Sequence, residues 1–204
     1  MKKALFTTAA VTLLAFASVA YADDSISYSK PIKLKRAQYK TVHEFEWNDV
    51  DYKVKGHNDK LIFEFNDGKY TETHDITGYR VVDMEIGDLN RDNQPELFVY
   101  LKADKPNRAL KLIGYSSNNG KSMSMVYLPE PEQDAKAYAG YYGFDEMSMV
   151  ENSFCRRFPV IEEKDDQIYM NGMIRQLDYE LVDGEACRIL KIKRISEYPI
   201  MENK

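Results

Sequence analysis

The sequence has little of what most catalytic or metal sites are built from. Its 204 residues include two cysteines, three histidines and one tryptophan, and they contain no HExxH, GxSxG or glycine-rich phosphate motif. Acidic residues outnumber basic ones by 33 to 28, which gives a formal charge of −5. Nucleic acids and anionic membranes require clustered Lys and Arg. We therefore expect a protein that is not an enzyme, binds no nucleic acid and inserts into no membrane.

The first 22 residues match a secretory signal peptide. Lys2 and Lys3 precede an apolar run from Ala4 to Val19, and Ala20-Tyr21-Ala22 is a small-x-small cleavage pattern. A single-pass anchor is the alternative, but the run is shorter than the roughly 20 residues that span a bilayer. We expect a periplasmic protein with one domain, residues 23–204. Loss of the two lysines takes its formal charge from −5 to −7.

The two cysteines, Cys155 and Cys187, both lie in the second half of the chain. A secreted protein meets an oxidising environment, which favours a bond between them. A reactive thiol or a metal site would need a CxxC motif or a nearby histidine, and neither is present. We expect one disulfide, worth about 2 to 4 kcal/mol of stability.

Turn residues recur about every ten positions, and apolar and polar residues alternate between them, as in half-buried strands. The clearest strand segments are KLIFEFN (60–66), YRVVDMEI (79–86) and ELFVYLK (96–102). Asn118-Asn119-Gly120 and Asp183-Gly184 are typical of tight hairpin turns. Helical spacing is limited to one turn within Gln133–Tyr141. The pattern predicts an all-β fold, an antiparallel β-sandwich with a small barrel as the alternative.

Several residues that could bind metals or substrates are interpreted as structural. Four methionines alternate on strand segments and are typical of core filling: Met123, Met125, Met147 and Met149. Trp47 is expected in the core. His43, His57 and His74 fall on strand-like or turn segments and are expected at the surface or at sheet edges.

The stretch DLNRDNQPELFVYL (88–101) resembles a calcium loop in part. Asp88, Asn90 and Asp92 occupy positions one, three and five. Position twelve is Val99 instead of a bidentate Glu, although Glu96 at position nine could supply a carboxylate. The alternative is a connection in which Asp88 and Asn90 accept hydrogen bonds from nearby backbone N–H groups. Calcium is thus a candidate cofactor, and no other metal is expected.

Four segments together resemble the periplasmic inhibitors of invertebrate-type lysozyme. The first is DLNRDNQPELFVYL, similar to a DLNGDGxPEIYVYV block in that family. The others are GYSSNNGKSMSMVYLP (114–129), GYYGFDEMSMVENSFCRRFPV (140–160) and RQLDYELVDGEACRILKIKRISEY (175–198). They follow one another in order and at similar spacing from about residue 83 to residue 198.

The resemblance implies an all-β periplasmic protein that inserts loops into the active-site cleft of a lysozyme. Such a stoichiometric inhibitor protects peptidoglycan from a host enzyme and turns over no substrate. An acidic inhibitor would also meet a cationic lysozyme faster. Lysozyme is therefore the expected partner, and a homodimer is left open.

The sequence departs from the family in one inhibitory element. Where the family carries Ser-Gly-x-Tyr after the first block, this chain has KADKPNRA (102–109). Three interpretations remain: Lys105 or Arg108 donates hydrogen bonds to the paired carboxylates of a glycosidase, the target is another glycan-cleaving enzyme or a glycan, or the segment is a solvated hairpin. Asn107 is a further candidate for partner binding. A calcium- or glycan-binding β-module is therefore the alternative function.

The second family element is better preserved. GYYGFDE (140–146) departs from the family pattern only at Phe144, where the family has His, and RRFP (156–159) is intact. Tyr141, Tyr142 and Phe144 are candidates for an aromatic partner-binding set, with core packing as the alternative. Arg156 and Arg157 are adjacent on a strand, so they point to opposite faces. We expect one to form an internal salt bridge, and we name Arg157 as the candidate contact.

Overall fold

The described part of the chain contains twelve strands and one turn of 3-10 helix. The computed structural model describes residues 42–47, 50–104, 109–165 and 167–200. The strands are β1 (Val42–Trp47), β2 (Val50–His57), β3 (Lys60–Phe65), β4 (Tyr70–Asp75), β5 (Tyr79–Gly87), β6 (Glu96–Ala103), β7 (Leu110–Asn118), β8 (Ser122–Tyr127), β9 (Glu146–Val150), β10 (Ser153–Lys164), β11 (Gln167–Asp183) and β12 (Arg188–Pro199). The 3-10 turn, Pro131–Asp134, begins two residues before the helical turn that the sequence predicts.

The described strands form two sheets. β1 to β4 make a four-stranded antiparallel meander, and the other eight strands make one sheet in the order β5-β6-β7-β8-β12-β11-β10-β9. All pairs are antiparallel except β8 and β12, which pair over two residues. The all-β prediction is confirmed. The described strands belong to one compact unit, while the predicted signal peptide lies outside the described residues.

The larger sheet curls until its two edge strands approach each other. The backbone N–H of Met149 on β9 donates a 2.7 Å hydrogen bond to a carboxylate oxygen of Glu85 on β5. The hydroxyl of Tyr100 donates to the same carboxylate. Burial raises the pKa of Glu85. This seam explains why both sandwich and barrel features are present: one sheet nearly closes on itself, and the meander packs on its outside.

Two hydrophobic cores follow from this arrangement. The first core lies on one face of the large sheet and contains Leu89, Phe98, Tyr100, Val126, Ala137, Tyr138, Met147, Phe154, Phe158, Leu177, Tyr179, Leu181 and Leu190. The second core lies between the meander and strands β6 and β7, and contains Tyr52, Val54, Leu61, Phe63, Phe65, Ile76, Leu97, Val99, Leu101, Ile113 and Tyr115.

Strand β6 contributes to both cores. Phe98 and Tyr100 point into the first core, whereas Leu97, Val99 and Leu101 point into the second. The sequence predicts a half-buried strand here, and that expectation is wrong because a layer of protein covers each face. Its continuous apolar run, LFVYL, is typical of a strand that is buried on both sides.

Both predicted hairpin connections are present, but only one is a tight turn of the expected kind. Asn119 and Gly120 adopt positive φ angles of 53° and 65° between β7 and β8. The β11–β12 connection has four residues, 184–187, and Gly184 does not adopt a positive φ. There the N–H of Gly184 donates to the carbonyl of Cys187 at 3.0 Å.

The residues interpreted as core filler are mostly where the sequence places them. Met147 is buried, Met149 packs on the first core, and Met123 packs on the second. Met125 is 49% exposed, so the prediction is wrong for that residue. Trp47 packs against the second core, as expected.

The predicted disulfide between Cys155 and Cys187 is wrong, because both cysteines are free thiols. Cys155 on β10 is paired with Asp178 of β11, and its thiol donates to the Asp178 carboxylate at 3.2 Å. Cys187 lies beyond β11, in the turn next to Arg188, which is paired with Asp183. Asp178 and Asp183 are five residues apart on β11, roughly 16 Å at the rise of a strand. A disulfide needs Cα atoms within about 7 Å.

Within the described residues, no helix has the length and apolar character needed to cross a membrane.

Candidate functional site

The direction of the strands places the candidate loops at one end of the large sheet. Connections β6–β7, β8–β9 and β10–β11 lie at this end, which we call the loop end. Connections β5–β6, β7–β8, β9–β10 and β11–β12 lie at the opposite end, which we call the turn end. The predicted partner-binding loops therefore belong to one end, and the calcium candidate loop belongs to the other.

A buried ion pair underlies the segment 140–145, which we call the aromatic loop. Arg156 on β10 points inward, and its Nε lies 2.6 Å from Oδ2 of Asp145. Its Nη2 lies 2.5 Å from the same oxygen, and the two side chains are 4% and 0% exposed. Burial alone would lower the pKa of Arg156, but the Asp145 carboxylate raises it. The guanidinium is therefore charged and fixed in place beneath the aromatic loop.

Three tyrosines complete the hydrogen bonding of this arginine. Arg156 Nη2 donates to the hydroxyl of Tyr141 at 2.6 Å, and Nη1 donates to that of Tyr138 at 3.1 Å. The Tyr138 and Tyr179 hydroxyls lie 2.5 Å apart. The guanidinium also lies over the rings of Tyr138 and Tyr141, at 5.1 and 4.9 Å from their centroids. Burial raises the pKa of Tyr141 and of Tyr179, so both remain protonated.

The aromatic loop presents two of its three predicted aromatic residues to solvent. Tyr142 is 51% exposed and Phe144 is 40% exposed, whereas Tyr141 is half-buried in the arginine network. The loop turns on Gly140 and Gly143, which have φ angles of 77° and 82°. Phe144 itself has a φ of 59°, a conformation that is unusual for a bulky residue and costs about 1 to 3 kcal/mol. Strain of this kind persists only where the surrounding structure imposes it.

The same carboxylate connects the aromatic loop to the β6–β7 hairpin. The backbone N–H of Leu110, the first residue of β7, donates to Oδ1 of Asp145 at 2.8 Å. The β6–β7 connection therefore ends beside the aromatic loop. Three predicted contact residues of that connection lie outside the described residues: Lys105, Asn107 and Arg108.

Arg157 points to the opposite face of β10 from Arg156, as strand geometry predicts. Its Nε lies 2.9 Å from a carboxylate oxygen of Glu146, and the side chains are 44% and 69% exposed. The expectation that one of the two arginines forms an internal salt bridge is confirmed for Arg156. Arg157 is an accessible side chain on the outer face of the sheet, next to the point where the aromatic loop enters β9.

At the turn end, the calcium candidate loop is held together by its own hydrogen bonds. The Asp88 carboxylate accepts from the N–H groups of Asp92 and Asn93 at 3.1 and 2.9 Å. The Asn90 side-chain oxygen also accepts from the Asp92 N–H, at 3.2 Å. Arg188 Nη2 lies 3.2 Å from Asp92 Oδ2. The interpretation as an Asx-stabilised connection is confirmed by these bonds.

Glu96, the remaining calcium candidate, is fully buried and has its own partners. It accepts from the N–H of Leu89 at 2.7 Å and from the Ser116 hydroxyl at 2.6 Å, and Arg188 lies 3.3 Å away. Burial raises its pKa from 4.5 to about 7. Within the described segments 42–47, 50–104, 109–165 and 167–200, no three His, Cys, Asp or Glu side chains are arranged to hold a metal ion. Calcium binding stays a prediction.

The three histidines lie on the four-stranded meander. His43 and His57 are exposed on β1 and β2. His74 on β4 is half-buried, and its Nε2 lies 2.7 Å from the Tyr115 hydroxyl. Burial lowers the pKa of His74, so it is neutral at pH 7.

A comparison with protein-family models, with curated proteins and with solved structures finds no match for this chain. The resemblance to lysozyme inhibitors therefore rests on the four sequence blocks alone.

Sequence reasoning missed several partners of Arg156 and of Glu96. Tyr138 and Tyr179 lie outside the candidate set, although they complete the shell around Arg156. Arg188 was also missed, although it lies against Glu96 at the turn end. A charged residue that begins or interrupts an otherwise apolar strand is the signal that predicts a buried pair, as with Glu96 before LFVYL, or with one of the two adjacent arginines before FPVI.

Proposed function

We propose that this protein is a secreted inhibitor that binds invertebrate-type lysozyme and blocks its active-site cleft, thereby protecting peptidoglycan. The aromatic loop carries the proposal. It presents Tyr142 and Phe144 on a backbone that is fixed from below by the Arg156–Asp145 pair. Exposed aromatic side chains on a rigid support lose little entropy on binding and are frequent at interface hot spots.

Two further features support a lysozyme as the partner. The order and spacing of the four sequence blocks resemble those of lysozyme inhibitors, and the aromatic loop lies within the third block. The formal charge, −5 for the whole sequence and −7 once Lys2 and Lys3 are removed with the signal peptide, favours encounter with a basic enzyme. The β6–β7 connection, where the family carries its other inhibitory element, ends beside the aromatic loop through the Leu110–Asp145 bond.

The first test is a titration of lysozyme activity on cell-wall substrate with the purified secreted protein. We expect stoichiometric loss of invertebrate-type activity, with hen-type and goose-type enzymes affected less. If micromolar protein leaves the activity of invertebrate-type lysozyme undiminished, the proposal is rejected. Binding to soluble peptidoglycan fragments without inhibition would favour the glycan-binding alternative.

The second test compares loop variants. The double substitution Tyr142→Ser and Phe144→Ser should weaken inhibition by at least about tenfold, since hot-spot aromatics carry 2 kcal/mol or more. Val150→Ser is the matched control, because Val150 is also 51% exposed but lies at the turn end. Equal inhibition by the double variant and the control would show that the aromatic loop does not contact the enzyme.

The hypothesis for the β6–β7 connection is tested separately with Arg108→Ala. If Arg108 donates to the paired carboxylates of the enzyme, its removal should weaken inhibition by about tenfold or more, as loss of a charged hydrogen bond does. Unchanged inhibition would leave the aromatic loop as the contacting element.

A further inference from the structure

The β10–β11 hairpin extends beyond its neighbouring strands at the loop end. Pairing of β9 with β10 ends at Arg157, and pairing of β12 with β11 ends at Met173. Beyond these points, β10 and β11 pair with each other through Glu162–Tyr169, Glu163–Ile168 and Lys164–Gln167. We call residues 162–165 and 167–171 the hairpin tip. No other strand of the described chain is paired with it.

The hairpin tip carries three consecutive exposed hydrophobic residues. Ile168, Tyr169 and Met170 are 54%, 42% and 42% exposed. Successive side chains of a strand point to opposite faces, so Ile168 and Met170 share one face and Tyr169 lies on the other. Exposed apolar residues are ordinary when scattered singly, but a cluster on a projecting element marks an interaction surface.

Carboxylates surround these hydrophobic residues. Glu162, Glu163 and Asp165 accompany one basic residue, Lys164, in the same turn. Glu162 is fixed beside the aromatic ring, because it accepts from the Tyr169 hydroxyl at 3.0 Å and from the Asn171 amide at 2.9 Å. The hairpin tip therefore offers exposed hydrophobic side chains on both faces, Ile168 and Met170 on one and Tyr169 on the other, and a carboxylate accompanies each face.

This combination selects among the partners that could cover the hairpin tip. An anionic membrane would be repelled by the carboxylates. A second copy bound tip to tip about a two-fold axis would place Glu163 and Asp165 against their own equivalents. A protein surface with basic residues around an apolar patch would bury the hydrophobic residues of the hairpin tip and pair with its carboxylates.

We infer that the hairpin tip is a second docking element, which binds a basic protein surface through Ile168, Tyr169 and Met170. It projects from the same end of the sheet as the aromatic loop, so one partner can contact both. Where that partner is taken to be lysozyme, the inference rests on the proposed function. The hairpin tip then contacts the rim of the enzyme while the aromatic loop approaches its cleft.

The test uses the full secreted chain and two probes, invertebrate-type lysozyme and a synthetic peptide of alternating Leu and Lys. Two variants change the hairpin tip: Ile168→Ser with Met170→Ser, and Glu163→Lys with Asp165→Lys. Their matched controls at the turn end are Val150→Ser and Glu185→Lys, since Val150 and Glu185 are also exposed.

The serine variant, Ile168→Ser with Met170→Ser, should weaken binding to both probes by about tenfold. The lysine variant should slow association by about threefold or more at low salt.

The outcomes separate this inference from the proposed function. The inference is supported if the tip variants bind both probes more weakly than the unmodified protein does, while the turn-end control variants bind them normally. If lysozyme is not bound but the peptide is, through the hairpin tip, the proposed function fails and the docking element stands. If both tip variants bind both probes like the unmodified protein, the docking element is rejected and inhibition through the aromatic loop stands.

Two controls keep the result interpretable. If the serine variant does not fold, as judged by circular dichroism, the lysine variant decides, because Glu163 and Asp165 are exposed and make no part of a core. Sedimentation of the unmodified protein checks the second-copy alternative. A dimer that the serine variant abolishes would overturn the inference by showing that another copy covers the hairpin tip.

Discussion

Each end of the large sheet holds an arginine against a buried carboxylate, and the two pairs have different effects on the protein. At the loop end, Arg156 and Asp145 have side chains that are 4% and 0% exposed and are enclosed by tyrosines. At the turn end, Arg188 is 14% exposed and is shared by Glu96, Asp92 and Asp183. The first pair holds an irregular loop in one conformation. The second only partly compensates a carboxylate whose pKa is raised to about 7.

The contrast shows that a buried ion pair is not a single kind of stabilising element. Where the geometry is complete, its main consequence is conformational: the backbone around Asp145 is fixed by the Arg156 bonds and the Leu110 N–H. Where the cost of burying the carboxylate exceeds the stabilisation that the arginine gives its charge, the consequence of the pair is that stability depends on pH.

The largest effect is expected from Arg156→Ala, with its neighbour Arg157→Ala as the control. Removal of Arg156 leaves Asp145 buried without a counter-charge, which should cost about 3 to 5 kcal/mol. The exposed Arg157–Glu146 pair should contribute less than about 1 kcal/mol. Urea unfolding measures both. A difference of less than about 1 kcal/mol between the variants would contradict the assignment of a buried, essential pair.

The turn-end pair should appear as a pH dependence of stability. Burial raises the pKa of Glu96 from 4.5 to about 7, so between these values the folded state binds more protons than the unfolded state. The contribution of Glu96 to the free energy of unfolding is therefore fully present below pH 4.5 and is lost as the pH rises to 7. The loss is about 3 kcal/mol for a shift of this size.

The Glu96→Gln variant isolates this effect, because an amide keeps the size of the side chain and cannot ionise. Between pH 4.5 and 7, the unfolding free energy of the unmodified protein should fall relative to that of the variant. Above pH 7, the difference between the two unfolding free energies should be constant. Parallel profiles would show that Glu96 is ionised in the folded protein throughout this range.

A third comparison concerns two glycines with positive φ angles, Gly140 in the aromatic loop and Gly172 on β11. A Cβ at Gly140, where φ is 77°, would lie 2.7 Å from a Val160 methyl and 2.9 Å from the Ile161 carbonyl. Gly172 has a similar φ of 79° but open space around it. Gly172→Ala should cost about 1 to 2 kcal/mol from backbone strain. Gly140→Ala should cost at least about 1 kcal/mol more because of the added clash. Thermal unfolding checks the order.

The smallest effect is expected from reducing agent, which should leave the thermal midpoint unchanged because no disulfide is present. The two thiols should still differ in reactivity. Burial raises the pKa of Cys155 to about 12, whereas Cys187 is half-buried in the turn-end connection. A thiol reagent should label Cys187 in the folded protein and Cys155 only after unfolding. A midpoint that falls with reductant would restore the disulfide prediction.

Local patterns predicted much of the fold. Alternation located β3, β5 and β6, and the Asn-Asn-Gly turn located the β7–β8 hairpin. The same alternation failed to show that β6 is covered on both sides, because burial of the second face depends on a meander formed elsewhere in the chain. The disulfide prediction failed for a similar reason. Compartment and cysteine count say that two thiols can pair, but only the register of β10, β11 and β12 says how far apart they lie.

The candidate site was predictable in part. The alternation of Arg156 and Arg157 predicted that one would be internal, and the aromatic loop was located by its sequence. The sequence could not show that Tyr141 belongs to the arginine network while Tyr142 and Phe144 are exposed. That division is set by the φ angles of Gly140, Gly143 and Phe144, which depend on the packing beneath the loop.

The position of β6 has a consequence for how the protein unfolds. Its alternate side chains belong to different cores, so neither core can open without disturbing the other. The meander and the large sheet should therefore lose structure in one cooperative transition, and the amides of β6 should exchange with solvent only through global unfolding. A single strand of eight residues thus makes two cores one thermodynamic unit.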